Sequence, residues 1–196
     1  MRQYFRLFAM CATLACAPQP RVAPPESPAP RLRLTFVPES DTFVAAAREY
    51  ERIWATDGDR IVRAMEETSG LTFRDTVVTA IVYEGISFSG FRATPMRLRA
   101  SYPPDTKRAT LIHELGHRLQ SGLFRRDEEE HGPLFLWLYD VWVALYGEPF
   151  AAAQVEVEKR RRGPYPQAWD AALALSAAQR AAQWRELAAE RLPTRR

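Results

Sequence analysis

Two histidines four residues apart within an apolar stretch constrain the fold of this chain more than any other feature. The motif reads His113-Glu114-Leu115-Gly116-His117. Residues i and i+4 lie on the same face of an α-helix, so His113 and His117 project together. Leucine and isoleucine form an apolar side of the same segment, at Leu111, Ile112, Leu115 and Leu119. The sequence therefore predicts a helix that packs into a core and presents two imidazoles on one face.

Two imidazoles on one helix face are suited to a divalent metal ion. Zinc is the expected ion because it is a Lewis acid without redox chemistry and lowers the pKa of its water to about 7. Glu114 is rotated about 100° from His113 on the helix, so we expect it to activate a zinc-bound water as general base. The chain has three histidines and two are in the motif. The alternative is an ordinary amphipathic helix with two surface histidines.

A third zinc ligand is needed, and the residues alone leave several candidates. His131 is the remaining histidine, in His131-Gly132-Pro133, which is typical of a helix N-terminus because proline fits the first turn. The acidic candidates are Glu128, Glu129, Glu130 and Asp140. A run of glutamates is more often a solvated charge run. On a continuous helix, His131 and Asp140 would project from opposite sides, about half a turn apart. This argues against one ion binding both.

A His-Glu-x-x-His helix followed by His-Gly-Pro-x-Phe resembles the SprT-like family of zincin metallopeptidases. The resemblance covers about residues 107–138. It implies that His113, His117 and His131 bind zinc, that Glu114 is the catalytic acid/base, and that the domain is zincin-like, of the minigluzincin type. Family members commonly carry a cysteine-rich zinc ribbon after the protease core, and this chain has no cysteine beyond Cys16. Several act on DNA-bound proteins, a role we do not carry over.

The order of helical and strand-like segments predicts an α+β domain. Strands are predicted at 32–36, 77–83 and 96–101, and helices at 42–70, from about 107 with Asp105 or Thr106 as cap, at 133–147 and through the alanine-rich C-terminal third. The sequence Asp57-Gly58-Asp59 is predicted to kink or split the first helix. A second interruption is predicted at Gly163-Pro164-Tyr165-Pro166. An extended substrate is expected to pair with an exposed strand edge at 96–101.

The N-terminus has the pattern of a bacterial lipoprotein signal. Arg2 and Arg6 precede a short apolar run that ends at Cys16, so residues 1–16 are predicted to be a signal peptide with Cys16 lipidated. Simple cleavage of the leader and a disordered cytoplasmic tail are the alternatives. Residues 17–30 are rich in proline and are expected to form an extended linker. Residues 31–196 are then predicted to form the zincin-like domain with a helical C-terminal extension. We expect this domain to be exported to the cell envelope, where it is anchored to a membrane and faces the periplasm or the exterior.

These features favour a zinc metallopeptidase that cleaves polypeptides. The formal charge is only +3, and runs such as Arg160-Arg161-Arg162 are expected to be solvated surface, so no nucleic-acid partner is predicted. One alternative is a zinc-bound domain without catalysis that uses the apolar helix at 134–146 as a partner surface. The other is an intracellular SprT-like protease. Tyr102 and Tyr165 are candidates for stabilising an oxyanion.

Overall fold

The computed structural model describes residues 32–91, 93–124 and 130–192. The predicted leader with Cys16 and the proline-rich linker lie outside the described residues. Among the residues that are described, no helix is both long enough and apolar enough to cross a bilayer.

A parallel three-stranded sheet forms one layer, with the strands side by side in the order β1-β2-β3. The strands are β1 at Arg33–Pro38, β2 at Val77–Tyr83 and β3 at Met96–Arg99. Val78, Ala80 and Val82 of β2 are buried, as the two-residue period of a strand requires when one face is covered. The three strands were predicted, and β3 is two residues shorter than expected.

Helices cover the buried face of the sheet and make up most of the described chain. They are α1 at Val44–Ser69, α2 at Pro104–Leu119, α3 at His131–Tyr146, α4 at Glu148–Lys159, α5 at Tyr165–Leu173 and α6 at Ala177–Arg191. The fold is thus mixed α+β, as predicted.

Two local predictions are wrong, and a third is confirmed in part. Helix α1 runs without interruption through Asp57, whose buried carboxylate accepts hydrogen bonds from Arg60 at 3.2 Å and from the Tyr146 hydroxyl at 3.1 Å. Helix α2 begins at Pro104, before the expected start near 107, and Pro103 occupies the cap position. A proline at the first helical position has no N–H, so it needs no capping partner. The predicted break is present between α4 and α5 and includes Gly163 and Pro164, but α5 already begins at Tyr165.

Helix α3 is the centre of the helical layer and packs against α1, α2, α4, α5 and α6. Its side chains are buried on most sides, and Trp137 and Trp142 are almost fully buried, as expected for a helix that is apolar all round. The predicted apolar helix is therefore part of the core. It is not available as a partner surface.

Gly116 sets the distance between α2 and α3. A Cβ atom at this position would lie 2.6 Å from Cδ1 of Leu134 and 3.2 Å from Cη2 of Trp137. A larger residue would push the two helices apart, since a close-packed core yields little. The glycine costs α2 up to about 1 kcal/mol of helix propensity. The absence of a side chain at Gly116 lets the first turn of α3 lie next to the two motif histidines.

Candidate metal centre

His113, His117 and His131 form one cluster, and each offers a ring nitrogen within 4.8 Å of the others. Helix α2 supplies His113 and His117, while His131 is the first residue of α3. The ring of His131 has its centre 5.5 Å from that of His113 and 4.8 Å from that of His117. The structure therefore brings together the three histidines that the sequence singled out.

The spacing of the two motif histidines is compatible with a shared zinc ion. The Nε2 atoms of His113 and His117 are 3.2 Å apart. Two nitrogen ligands at about 2.0–2.1 Å from a tetrahedral ion are separated by roughly 3.3 Å. Three neutral imidazoles with an open fourth position are a known ligand set of catalytic zinc. Burial lowers the pKa of His113 to about 4, although Glu158 opposes this shift, so His113 is neutral and able to bind metal at pH 7.

Glu114 follows His113 in the chain and lines the same cleft as the three histidines. Its side chain is buried, and burial raises the pKa of Glu114 to about 7 against the opposing effects of His117 and Arg161. A carboxyl group with a pKa near the working pH can both accept and return a proton. This position and protonation behaviour suit the predicted acid/base role.

Glu158 of α4 was not predicted from the sequence and contacts the cluster directly. Its Oε1 lies 2.8 Å from Nδ1 of His113, and both side chains are almost completely buried. Burial alone would raise the pKa of Glu158, but His113, Arg161 and the indole N–H of Trp169 hold it below the usual range. The available signal was its place on the buried stripe of α4, which also includes Ala151 and Val155.

Glu130 and Asp140, the acidic candidates for the third ligand that the structure describes, each contact another side chain. Oε2 of Glu130 lies 3.3 Å from Nδ1 of His117, on the side of that ring away from the Nε2 atom that faces His113. Asp140 accepts two hydrogen bonds from Arg180, at 3.0 Å and 2.6 Å, which supplies the partner that its apolar surroundings require. Glu128 and Glu129 lie outside the described residues.

A cleft of about 440 Å³ opens over the cluster. Its lining comprises Ser87, Phe88, Ser89, Phe91, His113, Glu114, His117, Glu130, His131 and Tyr165. The segment 87–91 forms one wall and covers the outer edge of β3, because Phe88 and Arg97 exchange two backbone hydrogen bonds at 3.0 Å and 2.9 Å. The β3 edge is thus already paired, contrary to the prediction for 96–101. The wall next to the histidines is 87–91 instead.

Arg118 fixes this wall to α2, the helix that carries His113 and His117. Its guanidinium is buried and donates to the Ser89 carbonyl at 2.8 Å and to Oδ2 of Asp75 at 2.9 Å. Because Arg118 follows His117 in the chain, the position of the wall is coupled to that of the cluster.

Of the two candidate tyrosines, Tyr165 lies at the site. Its ring centre is 4.4 Å from that of His131 and 5.9 Å from that of His113. Burial raises the pKa of Tyr165 to about 12 despite the nearby Arg161, so its hydroxyl keeps its proton at neutral pH. Tyr102 is not among the described residues that line the cleft. Arg161 is half-buried, 3.7 Å from Glu158, and this corrects its prediction as solvated surface.

Comparison with known proteins finds no protein family, curated protein or solved structure that matches this chain. The resemblance to SprT-like zincins therefore rests on the motif residues within 107–138 alone.

Proposed function

We propose that this protein is a zinc metallopeptidase with a zincin-like domain, similar in its core to the SprT-like family. The observation that carries the proposal is the convergence of His113, His117 and His131 beside Glu114 in one open cleft. A site with only a structural role has no use for a further carboxylate at the cleft and usually closes with a fourth protein ligand.

A bound zinc ion would be held by the three histidines and would supply Lewis acidity toward a peptide carbonyl. Glu114 takes a proton from the attacking water and passes it to the departing amine nitrogen. Its raised pKa suits both steps, because the group must gain and then lose a proton in each turnover. His113 contributes in its neutral form.

The proposed substrate is a polypeptide in extended conformation, lying between the wall at 87–91 and the histidines. Phe88 and Phe91 on this wall remain about half exposed, at 43% and 46%, and offer apolar contacts for substrate side chains. The export and lipid anchoring predicted from residues 1–16 remain part of the proposal and place the substrate in the cell envelope.

Metal removal tests the proposed reaction. We expect the full-length protein with zinc to cleave an unfolded, fluorescently labelled polypeptide and to release new amino termini. Treatment with 1,10-phenanthroline should abolish cleavage, and zinc should restore it where magnesium does not, since imidazole ligands favour zinc. About one bound zinc per chain without any cleavage would instead support the non-catalytic binding domain. A protein that binds no zinc contradicts the proposal at its first step.

Tyr165 is the proposed donor to the oxyanion that forms during peptide cleavage. Tyr165→Phe is expected to retain zinc and to lower kcat by about 10²–10³-fold, the usual cost of removing one such donor. Tyr102→Phe is the matched control and should leave kcat unchanged. Steady-state kinetics with a fluorogenic peptide measures both variants, and equal kcat values for them would exclude this role for Tyr165.

A further inference from the structure

A buried carboxylate on α4 lies directly behind one of the motif histidines. Oε1 of Glu158 lies 2.8 Å from Nδ1 of His113, while Nε2 of the same ring faces Nε2 of His117 at 3.2 Å. The imidazole therefore has one nitrogen toward the carboxylate and the other toward the cluster. Neither of these two buried atoms makes a hydrogen bond of good geometry to a described residue, and a proton on Nδ1 directed at Oε1 would satisfy both.

Two groups besides His113 hold Glu158 itself in place. The indole N–H of Trp169 donates to Oε2 at 2.9 Å, and Nη1 of Arg161 lies 3.7 Å from Oε1. Trp169 is fully buried and stacks on Phe135 of α3, with ring centres 3.9 Å apart. The carboxylate is thus held by α5 and by the turn that follows α4, in addition to its contact with His113.

We propose that Glu158 is the positioning residue of this metal centre: it holds His113 with the proton on Nδ1 and the Nε2 lone pair directed at the metal position. This inference rests on the proposed zinc site but concerns a part of the chain that the family resemblance does not cover. Carboxylates behind metal-binding histidines fix the tautomer and strengthen the ligand, and losing one typically weakens metal affinity by about 10–100-fold.

The same contact explains why the C-terminal helices belong to the site. Oε2 of Glu130 lies 3.3 Å from Nδ1 of His117, but Glu130 is partly exposed and precedes α3. Of these two glutamates beside the motif histidines, Glu158 is the one that is almost fully buried. His113 consequently depends on α4 and α5, and truncation before Glu148 would remove its support.

The first test is the tautomer of His113 in the metal-free, full-length wild type, read from the ¹⁵N chemical shifts of the imidazole nitrogens. We expect the proton on Nδ1. A proton on Nε2 in the folded wild type overturns the proposal without any substitution.

The second test is zinc affinity, measured by competition with a chromophoric chelator at pH 7.5. Glu158→Gln places an amide that cannot accept from both His113 and Trp169, so the dissociation constant should rise about 10–100-fold and His113 should lose its fixed tautomer. Glu156→Gln, which changes an exposed residue of the same helix, should change neither. Circular dichroism confirms that the variants compared are folded.

The outcomes separate this inference from the proposed function. If the wild type binds zinc and Glu158→Gln binds it equally well with an unchanged tautomer, the positioning role is wrong and the metallopeptidase proposal stands. If the wild type binds no zinc, the metallopeptidase proposal fails.

Discussion

Replacing Glu114 by glutamine is expected to reduce kcat for peptide cleavage by about 10²–10⁴-fold, the range for removal of a general acid–base group. The amide has nearly the same shape, but it neither accepts a proton from water nor returns one to the amine. Zinc content should stay at about one ion per chain, because the three histidines are untouched. Kinetics with a fluorogenic peptide and metal analysis by mass spectrometry measure the two quantities on the same sample.

Asp105→Asn is the matched control, since it neutralises an exposed carboxylate on the same helix, away from the cleft. Its kcat should equal that of the wild type. If Glu114→Gln cleaves as fast as this control, Glu114 has no catalytic role, and the cleft must use a different base.

Removing the third histidine should have the largest effect on metal binding. We expect His131→Ala to lose stoichiometric zinc at micromolar concentration, because two imidazoles remain where a catalytic site needs three protein ligands. The stabilisation that zinc gives to the folded state should disappear with it. That stabilisation amounts to about 2.7 kcal/mol when free zinc exceeds its dissociation constant a hundredfold. Thermal unfolding of the purified protein, with and without added zinc, measures this difference.

The acidic residues beside His131 provide the comparison. Glu128→Gln, Glu129→Gln and Glu130→Gln should each keep about one zinc per chain. Glu130→Gln should bind it more weakly, because Glu130 contacts Nδ1 of His117. Full zinc binding by His131→Ala, combined with loss in one of the glutamate variants, would assign the third ligand to that glutamate instead.

The residues that the sequence could identify are those whose roles follow from local spacing. His113 and His117 share a helix face by their separation alone, and His131 was marked by its place before Gly132-Pro133 at a helix start. The strand at Val77–Tyr83 and the long helix to Ser69 were predictable for the same reason, since the periods of two and about 3.6 residues are local properties. Local signals failed at Asp57, where Tyr146 and Arg60 make a polar residue acceptable within a continuous helix.

Tertiary structure alone decided which distant residues meet the motif. The sequence determined the helix with the two motif histidines, the candidate base Glu114 and the mixed α+β order of elements. It did not indicate that Glu158 stands behind His113, which of the two candidate tyrosines borders His131, or that the segment 87–91 covers the edge of β3. The contacts of Glu158 and Tyr165 join parts of the chain that are far apart in sequence, whereas 87–91 and β3 are close along the chain. The two distant contacts depend on how α3 is enclosed by its neighbours and on the close approach that Gly116 permits, and no local period encodes that packing.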